Sequence, residues 1–146
     1  MYPTNSNKFY IPFIGILVII SILVVAQFAK FTEGLWWYDM VLHFLGGAWI
    51  ATLFVYIFKI KSSLFNDRGV FLFNLIVVVS FVALVGVAWE IWEFLVDTLI
   101  ISGGVYGFQD PLADTIKDLI MDILGGIVMT SYLWKKLFTN KIYTRK

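Results

Sequence analysis

Nine of the ten acidic residues in this 146-residue chain, together with its single histidine, fall toward one end of a set of long apolar segments. An acid placed inside such a segment costs roughly 2.5–3.5 kcal/mol near the helix centre on membrane-insertion scales. A chain that keeps Asp39, His43, Glu90, Glu93, Asp118 and Asp122 there has to turn them away from lipid and toward one another. The chain is 60% apolar, against about 45–50% for a soluble domain. The expected class is therefore an all-α integral membrane protein, formed as one transmembrane domain over residues 1–146.

A bilayer-crossing helix needs about 20 mostly apolar residues. Four segments meet that requirement, at about 9–29, 38–60, 69–99 and 115–134. The first has no basic leader beyond Lys8 and no small-x-small cleavage pattern before Lys30, so it reads as a helix rather than a secretory signal. Lys8, Lys59, Lys61, Arg68, Lys135, Lys136, Lys141, Arg145 and Lys146 fall in the N-terminal tail, the middle loop and the C-terminal tail. Only Lys30 and Lys117 fall on the other side. The positive-inside rule then places both termini in the cytoplasm of a bacterial cell, in a multi-pass protein of the inner (plasma) membrane. The acidic end lies in the outer half of the bilayer, and Asp67 is the only acid on the cytoplasmic side.

The second and fourth segments begin alike. Asp39-Met40-Val41-Leu42-His43-Phe44-Leu45-Gly46-Gly47 aligns without gaps to Asp118-Leu119-Ile120-Met121-Asp122-Ile123-Leu124-Gly125-Gly126. Aspartate, leucine and the paired glycines recur, and His43 is matched by Asp122. Both segments run the same way, so the architecture suggested is two pseudo-symmetric helical hairpins related as parallel repeats. The glycine pairs are expected to meet near the pseudo-twofold axis, where small residues allow close helix approach.

Spacing defines the polar faces. Asp39 and His43 are four apart; Asp114, Asp118 and Asp122 are four and four apart; Glu90, Glu93 and Asp97 are three and four apart. Each set shares one helical face. Carboxylates gathered this closely repel one another unless a cation, shared protons or basic partners intervene. Basic residues are scarce at this end. A divalent metal cation is the simplest resolution, and carboxylates with one imidazole suit Zn, Mn, Fe or Mg. The candidate ligands are His43, Glu90, Glu93, Asp118 and Asp122. Asp39 is either a ligand or the group that orients His43. Asp39 and Asp114 also sit where an acid caps a helix start. Asp97, Asp110 and Glu33 read as solvent or headgroup charges.

The stretch Ser102-Gly103-Gly104-Val105-Tyr106-Gly107-Phe108-Gln109-Asp110-Pro111 is either a plain turn or a lid over the acidic end. Trp36, Trp37 and Trp134 fit the two membrane surfaces. Trp89 and Trp92 flank the glutamates, as an interfacial belt or as a wall of the site. The chain has no cysteine, which excludes disulfides and thiolate metal sites. Its basic residues form no patch suited to nucleic acid. Membrane lipids are the expected partners, and a homo-oligomer stays open.

The order Tyr38-Asp39-x-x-x-His43-Phe44, Trp89-Glu90-x-x-Glu93, then Gln109-Asp110 with Asp114, Asp118 and Asp122 ahead of Gly125 resembles the YjdF-like family of small inner-membrane proteins. The resemblance covers about residues 36–130. It implies the membrane class and the grouping of these acids with His43, and it supplies no reaction. A looser similarity links the chain to VanZ-like membrane proteins. Three functions stay open. The first is a metal-dependent hydrolase or transferase acting on a lipid or envelope headgroup, with Glu90 or Glu93 as general base. The second is a cation or proton-coupled transporter. The third is a non-enzymatic accessory membrane protein.

Overall fold

In the computed structural model, residues 7–28, 37–61, 70–99 and 112–143 are described. They form four helices: α1 (Asn7–Phe28), α2 (Tyr38–Lys61), α3 (Phe71–Leu99) and α4 (Leu112–Tyr143). No strand occurs among the described residues. The glycine-rich stretch 102–111, Glu33 and Asp110 lie outside them. Two helices are long and apolar enough to cross a membrane, over Tyr38–Phe58 and Phe71–Val96. In α1 the apolar stretch Phe13–Ile22 is shorter.

The boundaries of α2 and α3 lie close to the hydropathy limits, whereas α4 overruns them at both ends. Hydropathy marks where a helix can sit in lipid, not where its hydrogen bonding stops. At the start of α4, Lys117 pairs with Asp114 one turn earlier, and Asp114 lies in the first turn, where the helix dipole favours an anion. At its end, Lys135 and Lys136 continue the helix in good helix-forming residues.

Helices α2 and α4 run parallel and make the closest helix approach among the described residues. A Cβ on Gly47 would collide with the Asp122 carbonyl, lying 2.7 Å from its carbon. A Cβ on Gly125 would likewise strike the Phe44 carbonyl, 2.9 Å from its carbon. These two contacts exchange under a shift of 78 residues, one off the 79-residue register of the sequence alignment. A Cβ on Gly46 would lie 3.9 Å from the Asp122 carboxylate, so both glycines of the first pair border α4, whereas a Cβ on Gly126 would lie 3.1 Å from the Val82 methyls of α3. Adjacent helical residues point about 100° apart, and the second pair accordingly divides between α2 and α3.

Helix α3 packs antiparallel against both. Val82 meets Gly126 and, one turn on, Gly86 meets Asp122. Away from the acidic end the core comprises Ala51, Phe54, Val55, Val78, Val82 and Leu133. Phe54 stacks on Phe58 at 4.3 Å and tilts against Phe81 at 4.9 Å. Helix α1 joins the outside of α2, where Phe13 stacks on Trp49 at 5.4 Å. The topology thus brings the starts of α2 and α4 and the end of α3 to one end of the bundle.

The α2–α4 crossing gives a direct stability test. Gly125→Ala should lower unfolding stability in detergent by about 1–3 kcal/mol through overpacking, although alanine is the better helix former. Gly15→Ala, with nothing within 4 Å of its Cβ position, should cost nothing. Equal stability of the two variants in chemical unfolding would show that the crossing is not as close as described.

Candidate functional site

His43 stands one turn into α2, buried at 7% exposure. Its Nδ1 lies 3.3 Å from Asp122 Oδ2 of α4. With Asp122 ionised, Nδ1 carries the proton and donates it; in the neutral ring Nε2 then keeps its lone pair. Nε2 sits 3.9 Å from Asp39 Oδ1 and 3.9 Å from Glu90 Oε1. Two triads therefore share the imidazole. Asp39, His43 and Asp118 bring ligand atoms within 4.8 Å of one another, and so do His43, Glu90 and Glu93.

Burial is graded across the cluster. Glu90, Asp118 and Asp122 are buried alongside His43. Glu93 is half-buried and Asp39 is half-exposed on its side chain. The Glu90 carboxylate is approached by the Thr115 side chain, yet its Oε1 is buried with no hydrogen-bond partner among the described residues. A native interior rarely leaves such an atom unsatisfied.

Asp122 is held on three sides. Gly46 and Gly47 admit it from α2, and Gly86 admits it from α3, where a Cβ would lie 2.5 Å from Oδ2. Gly86 was not among the residues singled out by spacing. Its signal was there: it lies four residues before Glu90, on the same face, and a glycine inside a helix costs about 1 kcal/mol against alanine unless it has a packing purpose. Thr115 was missed because a lone threonine near a helix start reads as ordinary.

All six expected residues, Asp39, His43, Glu90, Glu93, Asp118 and Asp122, come together. Asp114 instead pairs with Lys117 in the first turns of α4. Trp89 and Trp92 pack on each other at 5.0 Å, each about half exposed on the outside of α3, with Trp89 hydrogen-bonded to Glu93. The Asp97 side chain lies outside the described residues.

Comparison with known proteins places these helices in context. The family described as "Predicted membrane protein (DUF2238)" matches residues 5–137. An "Uncharacterized protein" of Thermotoga maritima is 36% identical over 116 residues, covering 77% of this chain and 56% of the relative. The chain thus spans little more than half that relative's length. No solved structure matches it.

The single histidine makes the Asp122 contact observable. In the chelator-treated protein under alkaline conditions, ¹⁵N-imidazole NMR should show one tautomer, protonated at Nδ1. Gly86→Ala pushes the Asp122 carboxylate away and should convert this to a tautomer mixture, while Gly15→Ala should leave it alone. An unchanged spectrum in Gly86→Ala would remove Asp122 as the group that orients the ring.

Proposed function

The chain belongs to the DUF2238 family of predicted membrane proteins, and from that premise we propose that it is a multi-pass protein binding a divalent metal cation through its His43-centred cluster. The YjdF-like resemblance is compatible with that family. In this reading all four helices cross the bacterial cytoplasmic membrane as two repeat-related hairpins. Both termini are cytoplasmic, and the cluster opens to the outer half of the bilayer.

The observation that carries the proposal is the imidazole itself. Nδ1 is committed to Asp122, and Nε2 is flanked by carboxylates that have too few cationic partners. Metal-bound histidines commonly donate their second nitrogen to a carboxylate in this way, which fixes the tautomer and strengthens the ligand. Zinc-type ions sit roughly 2.0–2.2 Å from nitrogen and oxygen ligands. One ion can therefore bridge the observed 3.9 Å gap from Nε2 to Asp39 or Glu90. The unsatisfied Glu90 Oε1 gains its partner in the same step. Asp39, Asp118, Glu90 and Glu93 then serve as oxygen ligands, and Asp122 serves as the orienting group.

A cation here would polarise a carbonyl or phosphoryl oxygen or activate water. Glu93 is half-buried, and Glu90 is one turn away, so either can take the proton as general base. This supports a hydrolase or transferase acting on a lipid or envelope headgroup. Cation or proton-coupled transport is the second reading. It is supported by Thr52, Asn74 and Thr130, which are buried in the other half of the bundle. The Thr130 hydroxyl has no hydrogen-bond partner among the described residues. Against a continuous path, Thr52 donates to the Ala48 carbonyl of its own helix at 2.9 Å.

Ligand linkage supplies the test. A free metal at a hundred times its Kd stabilises the folded state by about 2.7 kcal/mol. Chelation should lower the unfolding midpoint, and Zn or Mn should restore it. His43→Ala should no longer respond to either treatment. A midpoint indifferent to chelator and to all four candidate metals would defeat the proposal.

A further inference from the structure

Resting on that reading, we infer that the cluster is a two-cation centre, with one seat between Asp39 and Asp118 and the other at Glu90 and Glu93. The two triads come from different helix pairs. Asp39 and Asp118 belong to α2 and α4, and Glu90 and Glu93 to α3 alone. His43 stands between them, with Nε2 equally far from a carboxylate oxygen of each seat. The Glu90–Glu93 seat is not carried by its acids alone. Glu90 is more than nine-tenths buried and its Oε1, with no hydrogen-bond partner among the described residues, faces the shared imidazole.

Charge balance favours two ions over one. Five carboxyl groups stand around one imidazole: Asp39, Glu90, Glu93, Asp118 and Asp122. Counted as metal ligands, with the acids ionised and the ring neutral, they would leave a formal charge of −3 around one divalent cation and −1 around two. Lys117, on α4, pairs with Asp114 and is also near enough to act on Asp39. Uncompensated charge is costly in a low-dielectric interior. Ions in paired sites typically sit about 3.5–4 Å apart, a separation that seats on either side of one imidazole can accommodate.

The seats are unequal. With Nδ1 bound to Asp122, the ring has one lone pair to give, so one ion takes nitrogen and the other is held by oxygen ligands only. Binding should therefore proceed in two distinguishable steps. A paired centre would also supply the positive charge for a phosphoester headgroup that this end of the chain, short of arginine and lysine, otherwise lacks.

Manganese titration of the whole chain in detergent, followed by electron paramagnetic resonance, tests this. Two equivalents bound in successive steps, with an exchange-coupled signal when both are present, are the expected result. Glu90→Gln with Glu93→Gln should leave one equivalent and an uncoupled spectrum, and so should Asp39→Asn with Asp118→Asn. Because the wild-type signal needs no variant to fold, it decides alone. One uncoupled equivalent overturns the two-cation centre and leaves the metal site standing. No binding at all overturns both.

Discussion

Gly47 and Gly125 carry no side chain to hold α2 and α4 apart, and the backbone contact they permit sets where every polar group in the cluster can reach. With the helices this close and parallel, His43 and Asp122 meet directly, and Asp39 and Asp118 face each other one turn nearer the helix starts. A bulkier residue at either glycine would widen the gap and leave buried acids without neighbours. In lipid no hydrophobic force pulls helices together, so close packing of this kind has to do much of that work.

Helix α3 completes the arrangement from the other direction. Its antiparallel run brings Val82, Gly86 and Glu90 past α4 turn by turn. Gly86 makes room for Asp122, and Glu90 arrives beside His43. Asp122 is thereby seated by small residues on both neighbouring helices. Burying three carboxylates, with two more partly exposed beside them, is costly, and the described residues offer few cations to offset it. The proposed metal would relieve that imbalance and would use the Nε2 face of the imidazole, which already points to Asp39 and Glu90.

Much of this was legible from spacing alone. The i, i+4 pair Asp39–His43, the stripe Asp118–Asp122 and the Glu90-x-x-Glu93 pair each fix a face, and acids that lipid cannot tolerate have to converge. What spacing could not supply was which nitrogen of His43 meets which acid. Asp122, read as a ligand, lies on the Nδ1 side; Asp39, left open between two roles, lies on the Nε2 side. That depends on interhelical register, which a sequence motif does not encode. The glycine pairs show the same limit. Their presence marked a close crossing, but rotation about the helix axis decided that Gly47 and Gly125 would make the backbone contacts while Gly46 bordered the Asp122 side chain and Gly126 faced α3. Gly86 carried a signal, a lone glycine on the glutamate face, but had no repeat partner to draw attention to it.

Whether this cluster holds metal in the native protein is read directly by elemental mass spectrometry on protein purified in detergent without chelator or affinity metal, alongside His43→Ala and Asp122→Asn. At least one equivalent of a single transition metal in the wild type is expected. It should be lost from His43→Ala and diminished in Asp122→Asn, with the helical circular dichroism of all three unchanged. A wild-type protein that carries no metal, even after loading with Mn, Zn, Fe or Mg, would contradict the account. Its acids would then have to be balanced by shared protons.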